Sequence, residues 1–292
     1  MHIIPVISTK GGEGKSTQAA NLAGFLADSG VKVLLIDGDY AQPTASSIFA
    51  LRYEAPCGLF ELLMQSVDLT HPERIISHTA IDNLDLIISN DPHEQLKTAM
   101  LHAPDGRMRL RNILQDPLFA SYGAIIIDSQ GARSVMLELI LLAATQSALA
   151  VVKPVLPDVR EFLRGTVGLL EELLPLTGYG VKIPRVEILV NCMDYTTLSR
   201  ETLGQLSDII SEGRYSDRAG EIPIKLLNTQ IYDLEIFKVG HRTGQPVHRL
   251  ETRTDRRSLP AAQTMFRLAC ELFPQWQARF DDFMNSSVRE MS

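Results

Sequence analysis

The chain has 292 residues, 45% of them hydrophobic, enough for one large domain with a substantial core. Its formal charge is −7 and its pI about 5.5, so nothing global marks a nucleic-acid binder; yet charge is felt over only about 8 Å at physiological salt, and a local basic patch can act on an acidic protein. Cys57, Cys192 and Cys270 are widely spaced with no C-x-x-C pair, which excludes a disulfide framework and a metal or iron–sulfur centre held in one short segment. No secretory signal opens the chain and no apolar run approaches the ~20 residues of a membrane span, so a soluble cytoplasmic protein is expected.

The first predicted strand, "HIIPVIS", leads into Lys10-Gly11-Gly12-Glu13-Gly14-Lys15-Ser16-Thr17 and then a helix over Ser16–Asp28. The usual phosphate loop, Gly-x-x-x-x-Gly-Lys-Ser/Thr, is not matched, because Thr9 stands where its first glycine belongs. The chemistry is still legible. Gly11, Gly12 and Gly14 let successive backbone N–H groups turn inward toward phosphate oxygens. The helix start adds a positive end, Lys15 a point charge for the β- and γ-phosphates, and Ser16 a hydroxyl for a Mg²⁺ shell. A plain glycine-rich turn with surface lysines would explain the glycines, but not the strand before, the helix after and the hydroxyl pair together.

"KVLLID" forms the second predicted strand, and Asp37 and Asp39 stand at its carboxyl end, where ligands bind in parallel sheets. Asp37 can support a magnesium shell or simply cap a turn. "LDLIIS", "GAIIID", "ALAVVK" and "VEILVN" follow as further strands, mostly continuous apolar runs suited to a parallel sheet buried on both faces. Helices are predicted near 92–103, 107–115, 134–145, 158–174 and 198–212, with a last one from Leu259 towards Phe280 broken near Pro274. This alternation predicts an α/β fold with a single doubly wound, mostly parallel sheet flanked by helices. One domain over 1–292 is expected, with a C-terminal helical segment from about 259. The first strand starts at residue 2, so no N-terminal helix-turn-helix domain is expected. Asp128 ends "GAIIID", where a carboxylate can hold Mg²⁺ through water or merely close a strand-end turn.

Lys10 with Lys15 in K-G-G-x-G-K-S-T resembles the deviant Walker A loop of the ParA/MinD ATPase superfamily. The resemblance runs from Met1 to about Leu272, strongly at this loop and loosely elsewhere. It implies a P-loop NTPase fold, ATP and Mg²⁺ as cofactors, and a nucleotide-sandwich homodimer. Lys15 would serve its own subunit's nucleotide and Lys10 the neighbour's, since facing triphosphates repel unless cations interleave. It implies a nucleotide site of Lys10, Gly11, Gly12, Glu13, Gly14, Lys15, Ser16, Thr17, Asn191 and Gln230. Lys10, Lys15 and Asp39 would be catalytic, Asp39 orienting the attacking water, and Ser16, Asp37 and Asp128 would hold the metal. Asn191 would bond the adenine edge, unless it is a buried strand-end residue satisfying backbone groups. Three departures stand out. Tyr40-Ala41 adds a residue before Gln42-Pro43, "DSQG" follows the Asp128 strand in place of the frequent D-x-P-P, and Tyr232 replaces a proline in the stretch ending Gly244-x-Pro246-Val247.

Residues 238–257 carry Lys238, Arg242, Arg249, Arg253, Arg256 and Arg257 against Glu251 and Asp255. The resemblance implies nonspecific DNA binding through Arg242, Arg249, Arg253, Arg256 and Arg257, a solvated basic face being the alternative. The expected function is a dimerising ATPase of DNA partition, slow and stimulated by a ParB-like partner, located on the nucleoid. A MinD- or TadZ-like positioning ATPase at a membrane or cell pole is the alternative. Its lipid-binding form is disfavoured by the acids of "RFDDFMNSSVREMS", so no membrane partner is expected. A metabolic synthetase would need a second substrate pocket for which the sequence offers no residues.

Overall fold

Runs such as Val33–Gly38 and Ala124–Ser129 have no polar face, and every residue of both is buried in the computed structural model. The structure describes residues 1–40, 42–91, 93–251 and 257–290, the last four as backbone alone. In chain order the elements are β1 (His2–Ile7), α1 (Lys15–Asp28), β2 (Val33–Gly38), α2 (Ala45–Ile48), β3 (Leu51–Tyr53), α3 (Leu59–Met64), β4 (Ser77–Thr79), β5 (Leu84–Ile87), α4 (Gln95–His102), α5 (Arg109–Ile113), β6 (Ala124–Ser129), α6 (Val135–Leu142), β7 (Ser147–Val152), α7 (Leu156–Glu161) and α8 (Gly168–Leu173). Then come β8 (Arg185–Met193), α9 (Thr197–Ser211), β9 (Ile224–Tyr232), α10 (Glu235–Thr243), α11 (Val247–Leu250), α12 (Ala261–Leu272) and α13 (Gln277–Glu290).

Among the described residues the strands form one nine-stranded sheet ordered β3-β4-β5-β2-β6-β1-β7-β8-β9. It is parallel from β5 to β9, while β4 runs antiparallel to both its neighbours. This is the single doubly wound, mostly parallel sheet flanked by helices that the strand–helix alternation predicts. β1 sits centrally between β6 and β7, with α1 on one face and α6 on the other. Ligands bind at the carboxyl ends of strands at such a reversal, and the phosphate loop leaves β1 there.

The sequence pattern did not foresee β3, β4 or β9. The first two have only three residues each, too few for a period. β9 is an edge strand in which only every second residue, Leu227, Thr229 and Ile231, is buried, so it lacks the continuous apolar run of its neighbours. The break near Pro274 is present: α12 stops at Leu272 and a 3-10 turn over Pro274–Trp276 leads into α13. Phe273 and Trp276 stack there at 4.9 Å, and Phe280 meets Phe25 of α1 edge-on at 5.7 Å, which fastens the C-terminal helices to the core.

Candidate functional site

The loop from Lys10 to Gly14 takes left-handed φ at Gly12 (79°) and Gly14 (89°), where a side chain would be strained. A Cβ at Gly14 would stand 2.4 Å from Asn191 Nδ2, so the missing side chain is also what lets β8 close on the loop. α1 begins at Lys15, whose side chain is buried under the loop with Nζ 3.5 Å from the Lys10 carbonyl. Burial lowers the Lys15 pKa, while Asp128, Asp39 and Glu13 favour its charge. A desolvated ammonium at a helix N-terminus attracts an anion more strongly than a hydrated one. Gly131, after β6, lies against the same loop, where its Cβ would meet Gly11 Cα and the Lys10 carbonyl at 2.8 Å.

The carboxylates converge as their strand-end positions predict. Asp37 and Asp128 are register partners on the adjacent strands β2 and β6, and both are wholly buried. Burial, only partly offset by Ser46, pushes Asp37 up to about 6. Burial and then the neighbouring Asp37 push Asp128 up to about 8, against the smaller pull of Ser16 and Lys15. Asp37 is satisfied: Oδ2 accepts from the Ser46 N–H and hydroxyl, both at 2.7 Å, and Oδ1 from the Asp39 N–H at 3.1 Å. Asp128 is not, since neither oxygen has a hydrogen-bond partner among the described residues. Asp39 is partly exposed at the strand end, and its Oδ1 accepts from the Gln42 N–H at 2.9 Å. Of the pair Tyr40-Ala41 that lengthens this segment, Tyr40 is buried in the core, while Ala41 lies outside the described residues.

An orphaned buried carboxylate beside a serine hydroxyl suits a hard divalent cation. Among the described residues no three His, Cys, Asp or Glu are placed to hold a metal by themselves. Magnesium does not require that, because it keeps waters and takes one or two protein oxygens plus phosphates. Ser16 and Asp128 would hold it, with Asp37 behind, and the ion would supply charge neutralisation at the phosphates.

A cleft of about 340 Å³ opens beside the loop, lined by Gly14, Thr17, Gln18 and Asn191 on one side and Tyr232, Phe237 and Lys238 on the other. Asn191 reaches it from the end of β8, where Cys192 takes φ 55° and the register with β9 shifts. Gln230 is placed elsewhere. It lines a second hollow with Thr229, Arg257 and Glu271, and among the described residues only Tyr232 borders both. Glu13 turns inward, its Oε2 accepting from the Lys153 N–H at 3.0 Å, and burial followed by Asp158 raises its pKa.

Lys10 pairs with Asp158 at the start of α7 in its own chain. Asp158 raises the Lys10 pKa, chiefly through their hydrogen bond. Asp158 and Ser46 escape sequence reading because each meets its partner only in three dimensions, although "VLPDVRE" does open a helix after β7.

The basic stretch divides. Lys238 and Arg242 are exposed on α10. Arg249 instead makes a bidentate pair with Asp28 of α1, its Nε and Nη2 each at 2.6 Å, beside His248 Nε2 at 2.7 Å. Arg257 lies over the Tyr195 ring at 4.4 Å. Arg253 and Arg256 lie outside the described residues.

A glycine-cradled phosphate loop at the switch point, with a buried lysine and strand-end carboxylates, defines a P-loop nucleotide-binding protein. The sequence profile of an AAA-domain family matches residues 1–156, more than half the chain, and the chain belongs to that family. Its fold resembles McdA of Cyanothece, a variant of which was solved as its ATP complex (TM-score 0.68, 20% identity, 98% of this chain and 95% of that one). It also resembles the septum site-determining protein MinD of Pyrococcus horikoshii with Mg-ADP (0.67, 19%, 95% and 98%). A plasmid partition protein of Borrelia burgdorferi matches as well (0.60, 20%, 83% and 96%). At such identities the likeness is one of fold. The chain spans 46%, 37% and 64% of the length of the first curated relatives it matches in sequence. Among the described residues no helix is long and apolar enough to cross a membrane.

Proposed function

We propose that the chain is an ATP-switched ATPase of DNA partition. ATP and Mg²⁺ occupy the loop and cleft, two subunits close face to face around two nucleotides, and the closed dimer holds DNA without sequence preference. A ParB-like partner stimulates hydrolysis and release on the nucleoid. The observation that carries the reading is Asp128: a fully buried carboxylate with no hydrogen-bond partner among the described residues, beside Asp37 and within the field of Lys15, is what a phosphate-bound cation would complete. Lys15 neutralises its own subunit's phosphates, and Asp39, less buried and next to the loop, orients the attacking water. Lys10 leaves Asp158 for the neighbour's phosphates when the dimer forms, exchanging one anionic partner for another.

The fold likeness to MinD favours a second reading, a positioning ATPase at a membrane or pole that uses the same switch. One titration separates the two. Binding of nonspecific duplex DNA is measured with ATP, ADP and no nucleotide, with Lys15→Ala as the nucleotide-blind control. Retention with ATP alone, lost in the variant, is the expected result. DNA ignored in all three states while ATP is still hydrolysed would favour positioning.

A further inference from the structure

The ion pair of Lys10 is lopsided: the lysine side chain is half-exposed, whereas that of Asp158 is buried. Lys10 can therefore withdraw into solvent while the acids it serves stay behind. A small hollow of about 10 Å³ gathers them, lined by Lys10, Glu13, Asp158 and Glu161. Glu13 is 2% exposed, and its Oε2 accepts from the Lys153 N–H at 3.0 Å. Burial first, and then the neighbouring Asp158 carboxylate, push the Glu13 pKa up to about 7. Two acids this close titrate as a pair, and a nearby ammonium favours the charged form of both. The other groups around them do less. Lys153 attracts Glu13 more weakly than its own N–H does, Lys15 and Cys192 also feel the Glu13 charge, and Glu161 adds a negative charge near Lys10.

We propose that Glu13 links closure of the dimer to proton uptake: as Lys10 leaves for the neighbour's phosphates, the Glu13–Asp158 pair takes a proton in its place. The inference rests on the reading of Lys10 given above. Withdrawal of the ammonium leaves two buried carboxyls facing each other without it, and a buried charge that loses its partner is costly. A group in such surroundings takes a proton rather than stay charged. Glu13 is the member of the pair that fills, because in the open subunit it already titrates near neutral pH. Lys10 itself stays charged throughout, since Asp158 raises its pKa in the open form and phosphates do the same in the closed one. The sign follows. Above pH 7 Glu13 is mostly ionised in the open subunit and protonated in the closed dimer, so closure consumes a proton and weakens as pH rises. When the dimer opens, the pair returns the proton to solvent and recovers Lys10.

The test is the dimerisation constant of the full chain, measured by sedimentation with magnesium and the non-hydrolysable ATP analogue AMP-PNP at saturation. Native chain, Glu13→Gln and Glu13→Ala are compared from about pH 7 to about pH 8.5. Native dimerisation is expected to weaken about tenfold per pH unit, the mark of about one proton taken up per dimer, and both variants to change less than about threefold over the range. Thermal melting identifies a variant that fails to fold, and the other then decides. If both fail, heats of native dimerisation in buffers of different ionisation enthalpy count the proton directly, and a count near zero overturns the proposal. A native constant that stays level across the range overturns it too, as does a folded variant with the native slope. A native chain that remains monomeric with the analogue at every pH refutes the dimer reading of Lys10 itself, an outcome distinct from all of these.

Discussion

Asp39 and Asp28 show how differently two aspartates of one short segment are used. Asp39 stands partly exposed at the end of β2 facing the loop, with Asp37 and Asp128 buried behind it. Asp39→Ala is expected to bind ATP with near-native affinity and remain dimeric, with steady-state hydrolysis lowered by about 10²-fold or more. Phosphate release and light scattering check this, and native turnover would move water positioning elsewhere. Asp28 closes α1 on the opposite side. Burial works against its charge, but the hydrogen bonds from His248 and Arg249 outweigh it and depress its pKa below the ordinary 3.8. A depressed carboxylate stabilises the fold above its unfolded pKa and loses that contribution as pH falls through its folded one. Asp28→Asn should therefore cost about 1–3 kcal/mol at neutral pH. Urea midpoints of variant and native chain should draw together as pH falls below 3.8. Asp37 and Asp128 could be placed from the sequence because a strand end fixes where they stand, and Lys15 because the glycine loop and the helix start bracket it. Asp158, Ser46 and Gln18 were not, because each is defined by a partner on another element.

At the scale of elements, the Gly244-x-Pro246-Val247 motif proves to be a joint. Gly244 caps α10 with a φ of 66°, the Pro246 ring covers Gly24 of α1, and the Val247 N–H donates to Asn21 Oδ1 at 2.9 Å. A Cβ at Gly24 would meet the ring at 2.5 and 2.9 Å, and a proline ring has little freedom to give way. Gly24→Ala should destabilise the fold by about 1–3 kcal/mol through overpacking, although alanine is the better helix former. Denaturant unfolding reads the result, and a stabilised variant would mean that the joint is loose. The motif was visible in the sequence, but its use was not, since α1 and α11 lie more than two hundred residues apart. The central strands were legible for the opposite reason. Burial on both faces writes itself as an unbroken apolar run, whereas β9, open on one edge, leaves no such trace.

The whole molecule carries −7, so any hold on DNA must come from geometry rather than net charge. α10 supplies that geometry. Lys238 borders the cleft beside the glycine loop while Arg242 is exposed farther along the same helix, so one element joins the proposed nucleotide cleft to exposed basic residues. Arg249 belongs to the joint with Asp28, and reversing its charge would disturb packing as well as any DNA contact. The informative variant therefore leaves it alone and changes Arg242, Arg253 and Arg256 to glutamate. If each contacts one phosphate, a dimer loses six contacts, and the log–log salt slope of DNA binding should flatten by about 5. ATP affinity and melting temperature should stay native. Filter binding across a salt series measures the slope. An unchanged slope would make the basic stretch a solvated face, and the proposed ATP switch would then have to act on something other than DNA.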